Sequence, residues 1–216
     1  RHPPSQEYSM VSLSLIGAFI PTAFFVSITP GMCMTLALTL GMTIGLRRTL
    51  WMMMGELVGV GIVVVASALG VAAVMLQYPA IFAVFKYIGG GYLAWLGIQL
   101  WLSRGRMAIS SEVSGAKTAT PYGLMTQGFV TAIANPKGWA FMISLLPPFI
   151  SLEHAMAPQL SVLVAIILMT ELICMTLYAT GGRSLRRFLE KSGNVRILNR
   201  IAGTLMVAVG VWLASS

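Results

Sequence analysis

The fold of this chain is decided by its first long apolar stretch. Residues 8–46 read YSMVSLSLIGAFIPTAFFVSITPGMCMTLALTLGMTIGL and contain no charged side chain. A straight transmembrane helix needs about 20 residues, so this stretch is too long for one span and too short for two spans joined by a loop. The triplet Thr29-Pro30-Gly31 predicts the interruption, because proline breaks the interior of a helix. We therefore expect a broken transmembrane helix.

Five further apolar stretches follow, and they divide into two sets. We predict spans at about 51–76, 81–102, 122–149, 158–180 and 197–214. A polar loop at 103–121 separates a first repeat (11–102) from a second (122–216), and residues 1–10 form an N-terminal tail. Because each repeat has an odd number of spans, the two must lie inverted in the bilayer. The sequence thus predicts an all-α integral membrane protein with six transmembrane helices in two inverted three-helix repeats, of which the first and fourth helices are broken.

Composition and charge agree with this class. Of the 216 residues, 57% are hydrophobic and 9% are charged, whereas a soluble domain carries about 25% charged residues. The net charge of +8 comes mainly from Lys and Arg at 47–48, 104–117 and 183–200, while the other side of the predicted topology has only Arg1. By the positive-inside rule these segments are cytoplasmic and both termini lie on the opposite side of the membrane. The same bias explains the basic character without nucleic-acid binding.

Four ionisable side chains fall inside the predicted spans. They are Glu56, Lys86, Lys137 and Glu171. Such groups cost a few kcal/mol near the bilayer centre, so they usually pair, line a pathway or reach the interface. Lys86 is close enough to the end of its span to extend to the outer interface. Glu56 lies near the cytoplasmic end of its span, and Glu171 is the deepest acid.

Two break signals are the most informative features. Thr29-Pro30-Gly31 and Asn135-Pro136-Lys137-Gly138 each read as an N-cap residue followed by proline at the first helical position. Two half-helices that begin at mid-depth would bring their N–H groups and positive dipole ends together, which favours an anion. Lys137 adds a full positive charge, and the glycines allow a ligand to approach the backbone. A kink without function is the simpler reading of one such proline, but a pair in corresponding positions points to a transporter site.

These motifs resemble those of the LysE/RhtB family of bacterial amino-acid exporters, and the resemblance runs from about residue 13 to 214. The matching segments are TPG (29–31), GLRRTLWMMMGELVG (45–59), FKYIGGGYLAWLGIQLW (85–101), NPKGWAFMISLLPPFI (135–150), the acid at 171 and RIAGTLMVAVGVWL (200–213). The resemblance implies an inner-membrane exporter of amino acids or related small metabolites, driven by proton entry, with no cofactor. Two positions depart from the family pattern: Met32 replaces a second proline, and Glu56 replaces an apolar residue.

The resemblance and the residues together give a binding hypothesis. The substrate carboxylate would lie at Thr29, Pro30, Gly31, Asn135, Pro136 and Lys137. Its ammonium group would lie near Glu171 or Glu56, and Glu171 would carry the coupled proton. The second acid, Glu56, leaves the net charge of the substrate open.

Other functions remain as alternatives. A passive channel or a metal-ion exporter could use the same scaffold, although the absence of Asp and the peripheral His2 and His154 disfavour a metal site. A thiol-electron carrier would need a symmetric pair of cysteines, but the position that matches Cys33 is occupied by Trp139. A membrane enzyme would need clustered nucleophilic or His groups. Glycines spaced four apart, such as Gly55 and Gly59, indicate close helix packing within the chain or in a homodimer.

Overall fold

The computed structural model describes residues 13–103, 118–150 and 155–215, and every regular element in them is helical. The helices are α1 (Leu13–Ile28), α2 (Met32–Ile44), α3 (Leu46–Gln77), α4 (Pro79–Leu102), α5 (Pro121–Ile133), α6 (Pro136–Leu145), α7 (Met156–Glu190) and α8 (Ser192–Ser215). A short 3₁₀ turn (Pro147–Phe149) follows α6. The predicted N-terminal tail and most of the predicted loop at 103–121 lie outside the described residues, as do His2 and His154.

The first predicted span is broken as expected, but the second half-helix begins later than predicted. Helices α1 and α2 meet at an angle of 57°. The prediction that Thr29 caps α2 and Pro30 opens it is wrong, because α2 begins at Met32 with Gly31 as its N-cap. The Thr29 hydroxyl instead donates a 2.6 Å hydrogen bond to the Phe25 carbonyl in the last turn of α1. The Thr29 side chain therefore belongs to the end of α1 rather than to the start of α2.

The second break begins where the sequence predicts. Asn135 is the N-cap of α6, its side-chain oxygen accepts a 3.2 Å hydrogen bond from the Lys137 amide, and Pro136 occupies the first helical position. Proline suits this position because its missing N–H would have no partner inside the helix. The prediction for this break is confirmed.

Among the described residues, three helices are long and apolar enough to cross a membrane by length and composition, or four segments if the bent pair α1–α2 is counted as one span. They are Leu46–Ala73 in α3, Met156–Gly182 in α7, Gly193–Trp212 in α8 and the bent pair α1–α2. Helix α7 turns sharply at Gly182, whose φ of 47° and ψ of −136° are not helical, close to the predicted end of the fifth span. Large apolar side chains such as Val58, Met169 and Val211 are more than half exposed. The outer surface is therefore suited to lipid.

Two separate clusters of buried side chains form the interior. One is built around Phe19, Leu93 and Phe141. The other is built around Leu38, Met53 and Tyr178. The break between α1 and α2 lies where the chain passes from the first cluster to the second. The site described below occupies this boundary.

Glycines let three pairs of helices pack at close range. A Cβ atom at Gly41 would collide with Ala179 of α7, and one at Gly55 would collide with Met125 of α5. In α4, a Cβ atom at Gly97 would lie 2.5 Å from the Gly203 carbonyl oxygen of α8. The prediction that glycine spacing serves packing within the chain is confirmed at these positions. These faces are already covered, so the spacing no longer argues for a homodimer.

Contacts between distant segments pair two of the basic regions with the ends of other helices. The Arg48 guanidinium donates a 2.6 Å hydrogen bond to the Ala119 carbonyl, just before α5. At the start of α8, the Asn199 amide donates a 2.6 Å hydrogen bond to the Ser103 hydroxyl at the end of α4. Nearby, the Arg200 guanidinium lies 4.6 Å from the centre of the Trp101 ring.

Candidate functional site

A small cavity of about 70 Å³ lies between the two helix breaks. Both breaks contribute to its wall, Thr29 and Gly31 from the first and Asn135, Lys137 and Gly138 from the second. Glu171 of α7 lines the same cavity. The volume is enough for a few ordered water molecules. The structure therefore brings together, across more than 100 residues of sequence, the break residues that the sequence singled out.

Apolar side chains form the rest of the wall. They come from α1, α2, α3, α5, α6 and α7 and are mostly large or branched. The set includes Val26, Val60, Val63, Phe141, Met142 and Ile167. The polar groups are thus concentrated at the breaks and at Glu171. A wall of this kind orients a ligand by a few polar contacts inside an apolar enclosure.

The break in α1 releases backbone carbonyls that side chains from other helices satisfy. The Lys137 ammonium donates to the Val26 carbonyl at 3.5 Å, and the buried Tyr178 hydroxyl of α7 donates to the Ile28 carbonyl at 2.7 Å. A carbonyl without a partner inside a bilayer costs several kcal/mol. Lys137 and Tyr178 therefore help stabilise the bent conformation of the break.

Lys137 and Glu171 form the charged part of the site. The Lys137 ammonium lies at the first break, because a Cβ atom at Gly31 would be only 4.0 Å from its nitrogen. Glu171 lines the same cavity as Lys137 and Ser27, within range of electrostatic attraction to Lys137. Opposite charges that attract inside an apolar enclosure offset part of their desolvation cost. The cavity therefore contains one basic and one acidic side chain.

The N-termini of α2 and α6 differ in how far their first backbone amides are already capped. In α6, the Asn135 side chain caps the Lys137 amide, and the Asn135 carbonyl accepts from the amides of Gly138 and Trp139. In α2, no side chain caps the first turn after Gly31. The dipole and free amides of a helix N-terminus attract anions. An anion would therefore be bound better at the start of α2 than at the start of α6.

Cys33 connects the break to an acid behind the cavity wall. Its thiol lines the cavity and lies 3.8 Å from the Asn135 side-chain nitrogen. The Glu56 carboxyl of α3 lies close enough to interact with this thiol and with Glu171. Glu56 is fully buried, and neither of its carboxyl oxygens has a hydrogen-bond partner among the described residues. Cys33 and Cys174 are both free and buried, as the sequence predicts.

The structure places the predicted residues unequally around the cavity. Thr29, Gly31, Asn135, Lys137 and Glu171 line it, whereas the two prolines shape the breaks without lining it. Glu56, predicted as a substrate contact, lies behind Cys33 and outside the lining.

Sequence reasoning did not assign a role to Ser27, Cys33 or Tyr178. Their positions carry a usable signal, because Ser27 and Cys33 lie within one helical turn of the Thr29-Pro30-Gly31 break. Tyr178 offers no such signal, since its partner Ile28 is 150 residues away.

Comparison with known protein families identifies the family to which this chain belongs. Residues 24–216 match the family model described as LysE type translocator. The chain belongs to the LysE type translocator family. It is therefore a membrane translocator and not an enzyme, and the family resemblance seen in the sequence is confirmed.

Relatives of known name cover nearly the whole chain. A homoserine/homoserine lactone efflux protein of Salmonella typhimurium is 27% identical over 92% of this chain and 95% of the relative. A leucine efflux protein of an Enterobacter species is 25% identical over 91% and 93% of the two chains. A membrane protein of Vibrio cholerae is 27% identical over 92% and 96%. No solved structure matches this LysE-type chain.

Proposed function

We propose that this LysE-type translocator exports amino acids or closely related small metabolites across the bacterial inner membrane in exchange for protons. The observation that carries the proposal is the presence of Lys137 and Glu171, which bear opposite charges, in one cavity at two helix breaks. A zwitterionic substrate complements both charges at once. Two relatives are named for efflux of homoserine/homoserine lactone and of leucine, which fits a substrate of this class.

The geometry suggests how such a substrate is held. Its carboxylate would lie against the Lys137 ammonium and the uncapped first turn of α2, near Gly31. Its ammonium group would lie against the Glu171 carboxylate, on the α7 side of the cavity. The apolar wall, including Phe141 and Met142, would contact the substrate side chain. Removing both substrate charges from water is favourable only when each is paired in this way.

The proposed architecture is six spans in two inverted repeats, α1–α4 and α5–α8. Support comes from the contacts between α4 and α8, where Gly90 packs on Gly210 and Gly97 packs on Gly203. A two-fold axis would relate these two contacts. The axis would bring Gly90 onto Gly203 and Gly97 onto Gly210. The contact of Gly90 with Gly210 would therefore become the contact of Gly203 with Gly97. Inverted repeats of this kind rock about a central site in other transporters. The positive-inside rule places both termini outside the cytoplasm.

The test is transport by the purified protein in liposomes. Labelled leucine and homoserine serve as probes, each with and without an imposed pH gradient. We expect accumulation that requires the gradient and disappears when a protonophore collapses it. If the folded protein moves neither these nor other amino acids under any gradient, the amino-acid proposal is wrong. Movement that ignores the gradient would favour a passive channel.

The role of Lys137 has its own test. Replacing it by methionine removes the charge but keeps much of the apolar stem. We expect Lys137→Met to weaken transport of leucine at least tenfold, since hydrogen bonds to charged groups contribute about 1.5–3 kcal/mol, and to affect leucinamide much less. Lys137→Arg is the matched control, because it keeps the positive charge. Equal losses for leucine and its amide would rule out carboxylate binding by Lys137.

A further inference from the structure

We infer that Glu56 is the proton-carrying residue of the exchange: it holds a proton while the cavity is empty and loses it when the ammonium group of the substrate binds beside it. This inference rests on the proposed export function and names the residue that couples it to protons. The sequence assigns that role to Glu171 instead. The surroundings of the two acids in the structure favour Glu56 as the proton carrier and Glu171 as the substrate contact.

The first step of the argument is the environment of Glu56. Its side chain has no exposed surface, and neither carboxyl oxygen accepts a hydrogen bond within the described residues. A carboxylate buried without a partner carries a large desolvation penalty, and the neutral acid largely avoids that penalty. Glu56 is therefore a protonated carboxylic acid in this state.

The second step is the contrast with Glu171. That side chain lines the cavity together with Lys137, whereas Glu56 does not line it. A nearby basic side chain and contact with water in the cavity both favour the ionised form of a carboxyl group. Glu171 is therefore the acid that the substrate ammonium group can contact. The two acids thus serve different purposes although they lie close together.

The third step is the set of groups around Glu56 on the helices that pack against α3. From α2 it faces the Cys33 thiol, and from α7 it faces Glu171. From α5 it meets only backbone at Gly128, where a Cβ atom would lie 2.9 Å from the Glu56 amide nitrogen. Lys137 of α6 and Cys174 of α7 interact with Glu171 rather than with Glu56 directly. No described positive side chain offsets a charge on Glu56.

A proton can reach Glu56 from the cavity. The Cys33 side chain lines the cavity on one side and lies next to the Glu56 carboxyl on the other. A water molecule in the cavity would therefore need only a small displacement of Cys33 to contact Glu56. On the α5 side, Gly128 packs closely against the α3 backbone at Met52 and Glu56. Proton exchange through the cavity is the route that couples Glu56 to the substrate.

Glu56 releases a proton on the cytoplasmic side and takes one up on the external side in each transport cycle. When the substrate enters from the cytoplasm, its ammonium group adds positive charge beside the two acids. The Glu56 O–H bond then breaks, the electron pair stays on the carboxylate, and the proton passes to water on the cytoplasmic side. After the substrate leaves to the outside, Glu56 takes a proton from external water. One proton therefore enters the cell for each substrate that leaves.

The first experiment measures protonation directly, without transport. Infrared spectra of the purified protein at neutral pH, in water and in deuterated water, are compared for wild type, Glu56→Gln and Glu171→Gln. We expect the carbonyl band of a neutral carboxylic acid in wild type and Glu171→Gln, and its loss in Glu56→Gln. Glu56→Met serves as a second variant if Glu56→Gln folds poorly. A band that persists without Glu56, or that disappears with Glu171, overturns the inference.

The second experiment tests coupling in liposomes with labelled leucine and homoserine. We expect Glu56→Gln to retain exchange of internal for external substrate while a pH gradient no longer accelerates transport. Glu171→Gln should instead lose exchange, because it removes a substrate contact. Gradient-driven transport by Glu56→Gln overturns the coupling role. If wild type moves no amino acid, the proposed function and the coupling role are wrong, while the infrared result still decides whether Glu56 holds a proton.

Discussion

Two adjacent glycines in α4 provide a direct test of the α4–α8 contact. A Cβ atom at Gly90 would lie 2.6 Å from the Gly210 carbonyl oxygen, whereas one at Gly91 meets nothing within 4 Å. Both substitutions to alanine gain about 1 kcal/mol of helix propensity. Only Gly90→Ala also suffers overpacking against a backbone that cannot move aside easily, at a cost of about 1–3 kcal/mol.

The expected result is a difference between two neighbouring variants. Gly91→Ala should raise the free energy of unfolding by up to about 1 kcal/mol. The free energy of unfolding of Gly90→Ala should be about 1–3 kcal/mol lower than that of Gly91→Ala. This corresponds to a roughly 5-fold to 150-fold difference in the equilibrium constant. The variants are compared in mixed micelles by titration with a denaturing detergent. The buried thiols of Cys33 and Cys174 report unfolding when they react with a maleimide.

Gly91→Ala is the matched control because it shares the helix, the neighbours and the chemical change. If the two variants shift the free energy of unfolding equally, the close approach of α4 to α8 is wrong. The two-fold argument for inverted repeats would then lose its main support.

Two further predictions concern the helix breaks. Tyr178→Phe removes the hydrogen bond to the Ile28 carbonyl and should lower the free energy of unfolding by about 1–3 kcal/mol; an unchanged value in the same titration would show that this carbonyl has another partner. Asn135→Ala should cost about 0.5–2 kcal/mol by uncapping α6, whereas Asn135→Ser keeps a capping oxygen and should restore most of the stability. Equal stability of the alanine and serine variants would contradict the capping role.

Much of the fold was predictable because its signals are local. The second break follows from Asn135 and Pro136, whose preferences for the N-cap and the first helical position act within one turn. The end of the straight part of α7 was also predictable, since Gly182 adopts a φ that other residues avoid. The first break was placed slightly wrong because Thr29 had two local options, capping α2 or bonding back to Phe25, and a sequence does not say which one wins.

The site was only partly predictable because its decisive contacts join distant residues. Lys137 was singled out from its motif, but its contact with Val26 spans 111 residues. The different surroundings of Glu56 and Glu171 could not be read from spacing, since both are isolated acids in apolar spans. Burial and access to the cavity distinguish them, and these depend on how α2, α5 and α7 pack around each one.

The way in which the α1 carbonyls are satisfied also bears on how the protein is made. Val26 and Ile28 receive their hydrogen bonds from Lys137 and Tyr178, which belong to the second half of the chain. During synthesis the first half enters the membrane before these donors exist. Exposed carbonyls in hydrocarbon are unfavourable, so α1 and α2 would stay in another conformation at this stage. The bent form of the first span is therefore a late product of membrane insertion, completed only when α6 and α7 arrive.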